Sequence, residues 1–520
     1  MQFKFSAVWF FFLTMFVLQG MAQKLIPVRI EVPGDLNAET YKVVPVEDQG
    51  VLIFYESNET DENGKRLWYF GLLDKRLKQK WLKSVPLDTK LHYVASRKTK
   101  QKVYFLFKNR EKVSRDYDIY EFVVFDRKAE RFTNLTGSVP YKSKISGFEL
   151  VQNHACVGLQ INGRQSDLAF VDLTSGEIKP VHLNKEEEAM IENIYVDKRS
   201  KRFYVVVKYF NSVSFFKDVI YAFTPRGEQL LEMEVSYPDN LRLPVNYRFA
   251  TISDDKISLL GTYDLITARR PSWKDVSNTE DSDREAASAG FFYLSFKNGK
   301  QEQLVFYDFM KFDNTYYSVH GKEIRTTKDK NSDLKKVNVF YKINNPKITD
   351  LENEKVFSVE LYKPYYKTET RMDYDFYGRP YPVTYEIFAG YEFYDVIFSG
   401  FDKNGNMVWN NDFAIDDLRT YSLGDHVLIV PDKNLLTLAY VNKGNIITQT
   451  FDKSNDLSER EKIPLETAFK KDRITQDENN KLKHWYGDYY IVYGYQRLRN
   501  RSLKEKSNRT VFFINKIALK

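Results

Sequence analysis

Cysteine is almost absent. Cys156 is the only one in 520 residues, so no disulfide can form within the chain, and a lone thiol of this kind is expected to be buried and inert. Long apolar runs are equally scarce. The one candidate, Phe5–Leu18, is about 14 residues long, whereas a membrane-spanning helix needs about 20. Lys4 precedes it and the small residues Gly20 and Ala22 follow, which is the layout of a secretory leader covering residues 1–22, with removal after Ala22. A retained N-terminal anchor is the competing reading. With no cysteine near that site, lipid modification of the bacterial kind is not expected. An exported chain without disulfides fits a bacterial envelope better than a eukaryotic secretory route. The expected location is therefore periplasmic or extracellular, with no transmembrane segment once the leader is gone.

Charge of one sign is also lacking. The 78 Lys and Arg barely exceed the 71 Asp and Glu and are spread along the whole chain, which leaves no electrostatic footprint for nucleic acid. The sequence contains no G-x-S-x-G, no P-loop and no H-E-x-x-H, so the usual marks of covalent hydrolysis, nucleotide binding and zinc proteolysis are missing. No metal or other cofactor is expected, although six widely spaced histidines (His92, His154, His182, His320, His426 and His484) leave open a site assembled from distant strands.

What the chain has in abundance is rings, 36 Tyr and 39 Phe, which suit the half-buried surface of a sheet. Short β-branched or aromatic runs recur, as in Lys102–Phe107 and Phe203–Val207. Many are followed at once by a polar turn, often with Asp first and Gly inside, and then by a second strand. The turns start at Asp74, Asp126, Asp172, Thr224, Lys297, Asp402, Asp452 and Asn515. Asp, Asn and Thr side chains bond to the local backbone there, and Gly accepts positive φ. The intervals are 52, 46, 52, 73, 105, 50 and 63 residues, and most suit a four-stranded propeller blade.

The fold expected is all-β: one β-propeller domain over residues 24–520, with seven or eight four-stranded blades and insertions near 273–290 and 362–394. The 105-residue interval fits one enlarged blade or two ordinary ones. The last unit stops after its third strand, while Leu25–Val32 is a spare strand at the start, so the two ends are expected to share a blade and close the ring. A pair of β-sandwiches would also give many short strands. Asn184–Ile194 and Leu465–Lys471 read as short helical connectors between repeats.

The unit from Gly400 to Trp409, with Asp402, Gly405 and Trp409, resembles the blade turn of quinoprotein-like propellers, and Asp172 to Gly176 resembles the same turn. The Asp402-to-Gly405 gap is one residue shorter than in that family. The resemblance implies the architecture, and no ligand set matches the family's cofactor site. More broadly, the Phe-rich leader and the Tyr- and Lys-rich strands resemble exported propellers of the Bacteroidota, which implies an envelope location.

Several local patterns invite a chemical reading. His154 and Cys156 share a strand face, which suggests either an activated thiolate or a buried cysteine beside a bonded histidine. Asp402, Asn404 and Asn406 alternate like the start of a calcium loop, but Gly405 is misplaced and Phe413 stands where a bidentate Glu is needed, so a tight hairpin turn is expected. Arg497–Arg509 carries six positive charges and one negative between two strands, which reads as a solvated loop or as a surface for an acidic partner. The densest signal is Tyr362–Tyr394, where 12 of 33 residues are Tyr or Phe, with Arg371 and Arg379 interleaved. Either an extended hairpin packs these rings on its neighbour, or Tyr365, Tyr366, Arg371, Tyr374, Phe376, Tyr377, Arg379 and Tyr381 form a contact surface. On the second reading the chain is a non-catalytic binding or scaffolding protein of the bacterial envelope, with a protein or a glycan as partner. The rival is an enzyme acting on polysaccharide or cell wall through paired carboxylates at the propeller axis.

Overall fold

The structure is a computed structural model that describes residues 28–36, 40–183, 188–211, 215–238, 242–253, 255–265, 287–312, 323–328, 335–503 and 507–519. The expected leader, His320 and most of the expected 273–290 insertion lie outside these residues. Among the described residues there are strands and two short 3-10 turns, and no helix is long and apolar enough to cross a membrane.

Eight antiparallel sheets follow one another along the chain, at 42–87, 91–140, 143–182, 188–234, 242–308, 342–420, 428–464 and 473–518. The first six have four strands side by side in chain order. In the seventh, Asn455–Asp456 and Glu461–Pro464 share the outer position beside Asn445–Asp452. The long 105-residue interval holds one enlarged sheet and a separate two-stranded ladder of Glu323–Lys328 and Lys335–Phe340.

The third strands explain the unbroken apolar runs of the sequence. Phe122, Val123, Val124 and Phe125 are all buried because a neighbouring sheet covers each face. The fourth strands alternate, as in Arg131–Pro140, because they form an exposed rim. One apolar cluster joins the first sheet to the second through Phe54, Phe70, Phe105 and Val123. Equivalent clusters join each sheet to the next, and Val43, Val51, Ile491 and Ile514 join the eighth to the first.

Each turn singled out in the sequence up to Asp452 connects the third strand to the fourth. Asp74 Oδ1 accepts from the amides of Arg76 and Lys78, both at 2.8 Å, Asp402 repeats this with Asn404 and Asn406, and Asp126 and Asp172 accept from the second and third amides that follow them. Glycine inside the turn is also a packing requirement. A Cβ on Gly405 would stand 2.2 Å from the ring of Tyr293 in the preceding sheet, and one on Gly227 would stand 2.4 Å from Phe170.

Val28–Pro33 lies antiparallel to Asn508–Ala518, in register from Val28 opposite Lys516 to Pro33 opposite Val511, and is the outermost strand of the eighth sheet. A polar clasp fixes it. Arg29 donates to Asn515 and Gln496, each at 2.9 Å, and to the carbonyl of Glu466, while its side chain is only 4% exposed. Arg509 bonds both Glu31 and Asp472.

Three expectations need correction. Asn515 starts no turn but lies within the strand Asn508–Ala518, opposite Arg29. The Glu-rich segment expected as a helical connector contains the start of a strand, Glu188–Asp197, because Ala189 and Ile191 alternate into the interface with the third sheet and override the helical preference of the glutamates. Leu465–Lys471 is irregular. Leu465 is buried and the Glu466 carbonyl is taken by Arg29 and Asn515, so burial and long-range bonds set its course. The basic stretch is a hairpin connection, and its last residue, Arg509, belongs to the clasp.

Candidate functional site

The aromatic segment is the exposed part of one long hairpin in the sixth sheet. Its strands, Glu354–Tyr374 and Pro380–Phe401, have 21 and 22 residues. The inner neighbour pairs only as far as Tyr362, and the outer neighbour only as far as Tyr391. From residue 365 to residue 390 the chain is therefore a two-stranded ribbon standing alone. About ten residues per strand give it a reach of roughly 30 Å. Asp375 and Gly378 close the tip with the same turn chemistry as the sheet connections, since Asp375 Oδ1 accepts from Tyr377 and Arg379 at 2.9 Å.

The register sorts the side chains. Tyr366 faces Phe388 across the ribbon, Thr370 faces Thr384, Met372 faces Pro382 and Tyr374 faces Pro380, so this face carries few charges. On the opposite face Lys367, Glu369, Arg371 and Asp373 stand against Ile387, Tyr385, Val383 and Tyr381. Phe376 at the tip is 98% exposed, Tyr377 80% and Tyr374 65%. Tyr366 and Tyr381 are exposed as well, and the rings do not pack into a neighbouring sheet. Tyr365 differs. It is half-buried at the base, where the Arg419 guanidinium stacks 4.0 Å from its ring centre and Glu392 holds Arg419 in place. The arginines are partly engaged within the ribbon, Arg371 with Glu369 at 2.8 Å and Arg379 over the ring of Tyr377.

A second polar constellation, missed in the sequence, sits between the fourth and fifth sheets. Lys208 and Asp218 pair directly across two strands at 2.8 Å with both side chains fully buried. Tyr237 and Tyr247 both donate to Asp218 Oδ2, and Lys208 also donates to the Pro244 carbonyl. Around this satisfied pair stand two further carboxyls, Glu192 and Asp264. Burial raises the Glu192 carboxyl, with Lys208 opposing. Asp264, which accepts from Ser288 at 2.9 Å, is raised by burial to about 7. A carboxyl protonated near neutrality can serve as a general acid. The same ten-residue Lys–Asp spacing recurs in the second sheet, where Lys108 pairs with Asp118, so half of the constellation repeats as structure.

The remaining patterns are structural. Cys156 is fully buried and burial pushes its thiol up, away from reactivity. Asp402 spends its oxygens on the amides of Asn404 and Asn406 and the side chain of Asn406, as a tight turn requires. His426 packs 4.3 Å from Phe393, and burial holds its imidazole down at about 4, so it stays neutral. Among the described residues no three His, Cys, Asp or Glu side chains gather as a metal site would require.

No protein-family profile matches the chain, and no curated protein matches it in sequence. Solved structures resemble it in shape. A polysaccharide lyase, Uly1, has a TM-score of 0.38 at 8% identity, covering 82% of this chain and 90% of that one. The β-propeller domain of the Trilobed protease from Pyrococcus furiosus has a TM-score of 0.32 at 8% identity, covering 82% and 98%. A post-proline cleaving enzyme from Rickettsia typhi has a TM-score of 0.36 at 9% identity, covering 90% of this chain and 59% of that one.

Proposed function

We propose that the eight sheets are the blades of a single β-propeller, closed where Val28–Pro33 completes the last blade, and that this exported protein is a non-catalytic binding module of the bacterial envelope. The face-to-face apolar clusters, which run from each sheet to the next and from the eighth back to the first, support the ring. The binding role rests on one observation. The ribbon at 365–390 holds nine large apolar side chains in water, from Tyr366 to Phe388. An isolated two-stranded ribbon is marginally stable in water, and exposed clusters of this size mark interaction sites.

Both ribbon edges also present free backbone groups beyond Tyr362 and Tyr391, which suits strand addition by a partner protein, with the rings at the tip as anchors. Affinity capture from envelope extract tests this. The wild-type protein is expected to retain a partner that the Tyr374→Ala, Tyr377→Ala, Arg379→Ala triple variant loses. Equal capture by both would reject the assignment, and retention on a polysaccharide matrix alone would move the role from protein to glycan.

Glu192 and Asp264 favour a second reading, acid–base attack on polysaccharide, because burial raises two carboxyls that stand beside one buried ion pair. Release of reducing ends from envelope glycans that disappears in Glu192→Gln and Asp264→Asn would establish it. Absence of any release leaves the binding role.

A further inference from the structure

A cavity of about 450 Å³ lies where the inner strands of the eighth, first and second sheets meet. Five cationic side chains line it: Lys42, Arg97, Lys98, Lys481 and Lys483. No carboxylate is among its lining residues. Two of the cations are already committed elsewhere, Arg97 to Glu149 at 2.8 Å and Lys98 to Glu47 at 2.9 Å. Lys481 and Lys483 are different. They sit two residues apart in regular pairing with Tyr493 and Ile491, so their stems leave the same strand face about 7 Å apart. Neither makes an ion pair among the described residues.

Like charges on one sheet face repel, and a partly desolvated ammonium is costly unless an anion meets it. Burial lowers the pKa of Lys483, with only the charge of Asp425 opposing, and its Nζ lies 5.7 Å from the ring centre of Tyr493. The cavity thus sets the Lys481 and Lys483 ammoniums beside aromatic surface, Tyr93 and Tyr493, with no ion pair to either among the described residues. A ligand with two or more anionic groups would bridge Lys481 and Lys483.

We propose that this cavity binds a small multivalent oxyanion, whose carboxylate or phosphoryl groups pair with Lys481 and Lys483. The site can be tested without knowing the ribbon's partner. Two probes distinguish the chemical sources: pyrophosphate for phosphoryl groups and digalacturonate for carboxylates on a sugar frame, with cellobiose as the neutral control. Titration calorimetry on the whole protein is run at 20 mM and again at 150 mM salt.

At least one probe is expected to bind, cellobiose is not, and Lys481→Gln and Lys483→Gln are each expected to weaken binding tenfold or more while unfolding at temperatures close to wild type. A measurement on the wild-type protein covers the case in which a variant fails to fold. The bound probe should slow acylation of Lys481 and Lys483 relative to the exposed Lys80, read by mass spectrometry. If neither probe binds more tightly than sulfate at equal ionic strength, or if bound probe leaves both lysines as reactive as before, the proposal is wrong.

Discussion

Arg29 and Asn515 meet at 2.9 Å although 486 residues separate them in sequence. The same guanidinium reaches Gln496 and the Glu466 carbonyl and lies 4.5 Å from the ring centre of Phe513, so one side chain ties the first strand to three elements of the last sheet and its approach. Truncation to Ala strands buried acceptors and leaves Glu31 one partner fewer. Arg29→Ala should lower the unfolding free energy by about 3 kcal/mol or more, as removal of one member of a buried charged network does. Arg29→Lys should recover only part of this, because one ammonium with three donors cannot replace the guanidinium fork that reaches Glu31, Gln496, Asn515 and the Glu466 carbonyl together. Denaturant titration of the three proteins decides the order.

Gly378 and Gly405 occupy the same place in two Asp-led turns, with φ of +76° and +85°. A Cβ at Gly378 meets nothing within 4 Å, whereas at Gly405 it enters the Tyr293 ring. Gly378→Ala should therefore cost only the backbone strain, about 1 kcal/mol. Gly405→Ala should cost about 3 kcal/mol, strain and overpacking together. Equal losses for the two would show that the turn does not depend on the ring beneath it.

Asp264 titrates at about 7 in the folded chain because burial disfavours its charge, while an unfolded Asp titrates near 4. Below about pH 4 both states are protonated and no penalty applies. Between about pH 4 and 7 the folded state holds the proton that the unfolded state releases, so stability falls as pH rises, and above about 7 the penalty is complete, on the order of 2–4 kcal/mol. Asp264→Asn should flatten that slope and raise the melting temperature at pH 8 more than at pH 4. A parallel pH profile in the variant would refute this.

The ribbon predicts a separation of stability from capture. Phe376 and Tyr377 touch each other at the tip and little else, with centroids 5.6 Å apart. Replacing both by Ala should change the unfolding free energy by less than about 0.5 kcal/mol while reducing partner retention. Pull-down beside thermal melts of the same preparations checks both halves.

Sequence reading reached the parts of the fold that rest on local chemistry. Asp74, Asp126, Asp172 and Asp402 announce their turns because each bonds amides within four residues. It reached the ring-rich segment through composition alone, and could not decide whether those rings were covered, because that depends on where the strands beside them stop. The constellation of Glu192, Lys208, Asp218 and Asp264 escaped notice because its members come from separate strands and look ordinary one at a time. The cavity escaped for the same reason, drawing Lys42 and Lys483 from opposite ends of the chain. Glu188–Asp197 was legible only as a set of helix-favouring residues, since the apolar partner that makes it a strand lies in another sheet.

The pairing of Val28–Pro33 with Asn508–Ala518 also sets a schedule. At roughly 5–20 residues per second, synthesis delivers the second strand about half a minute to a minute and a half after the first. For that time the early strand has no native partner and its apolar face stays open to other chains.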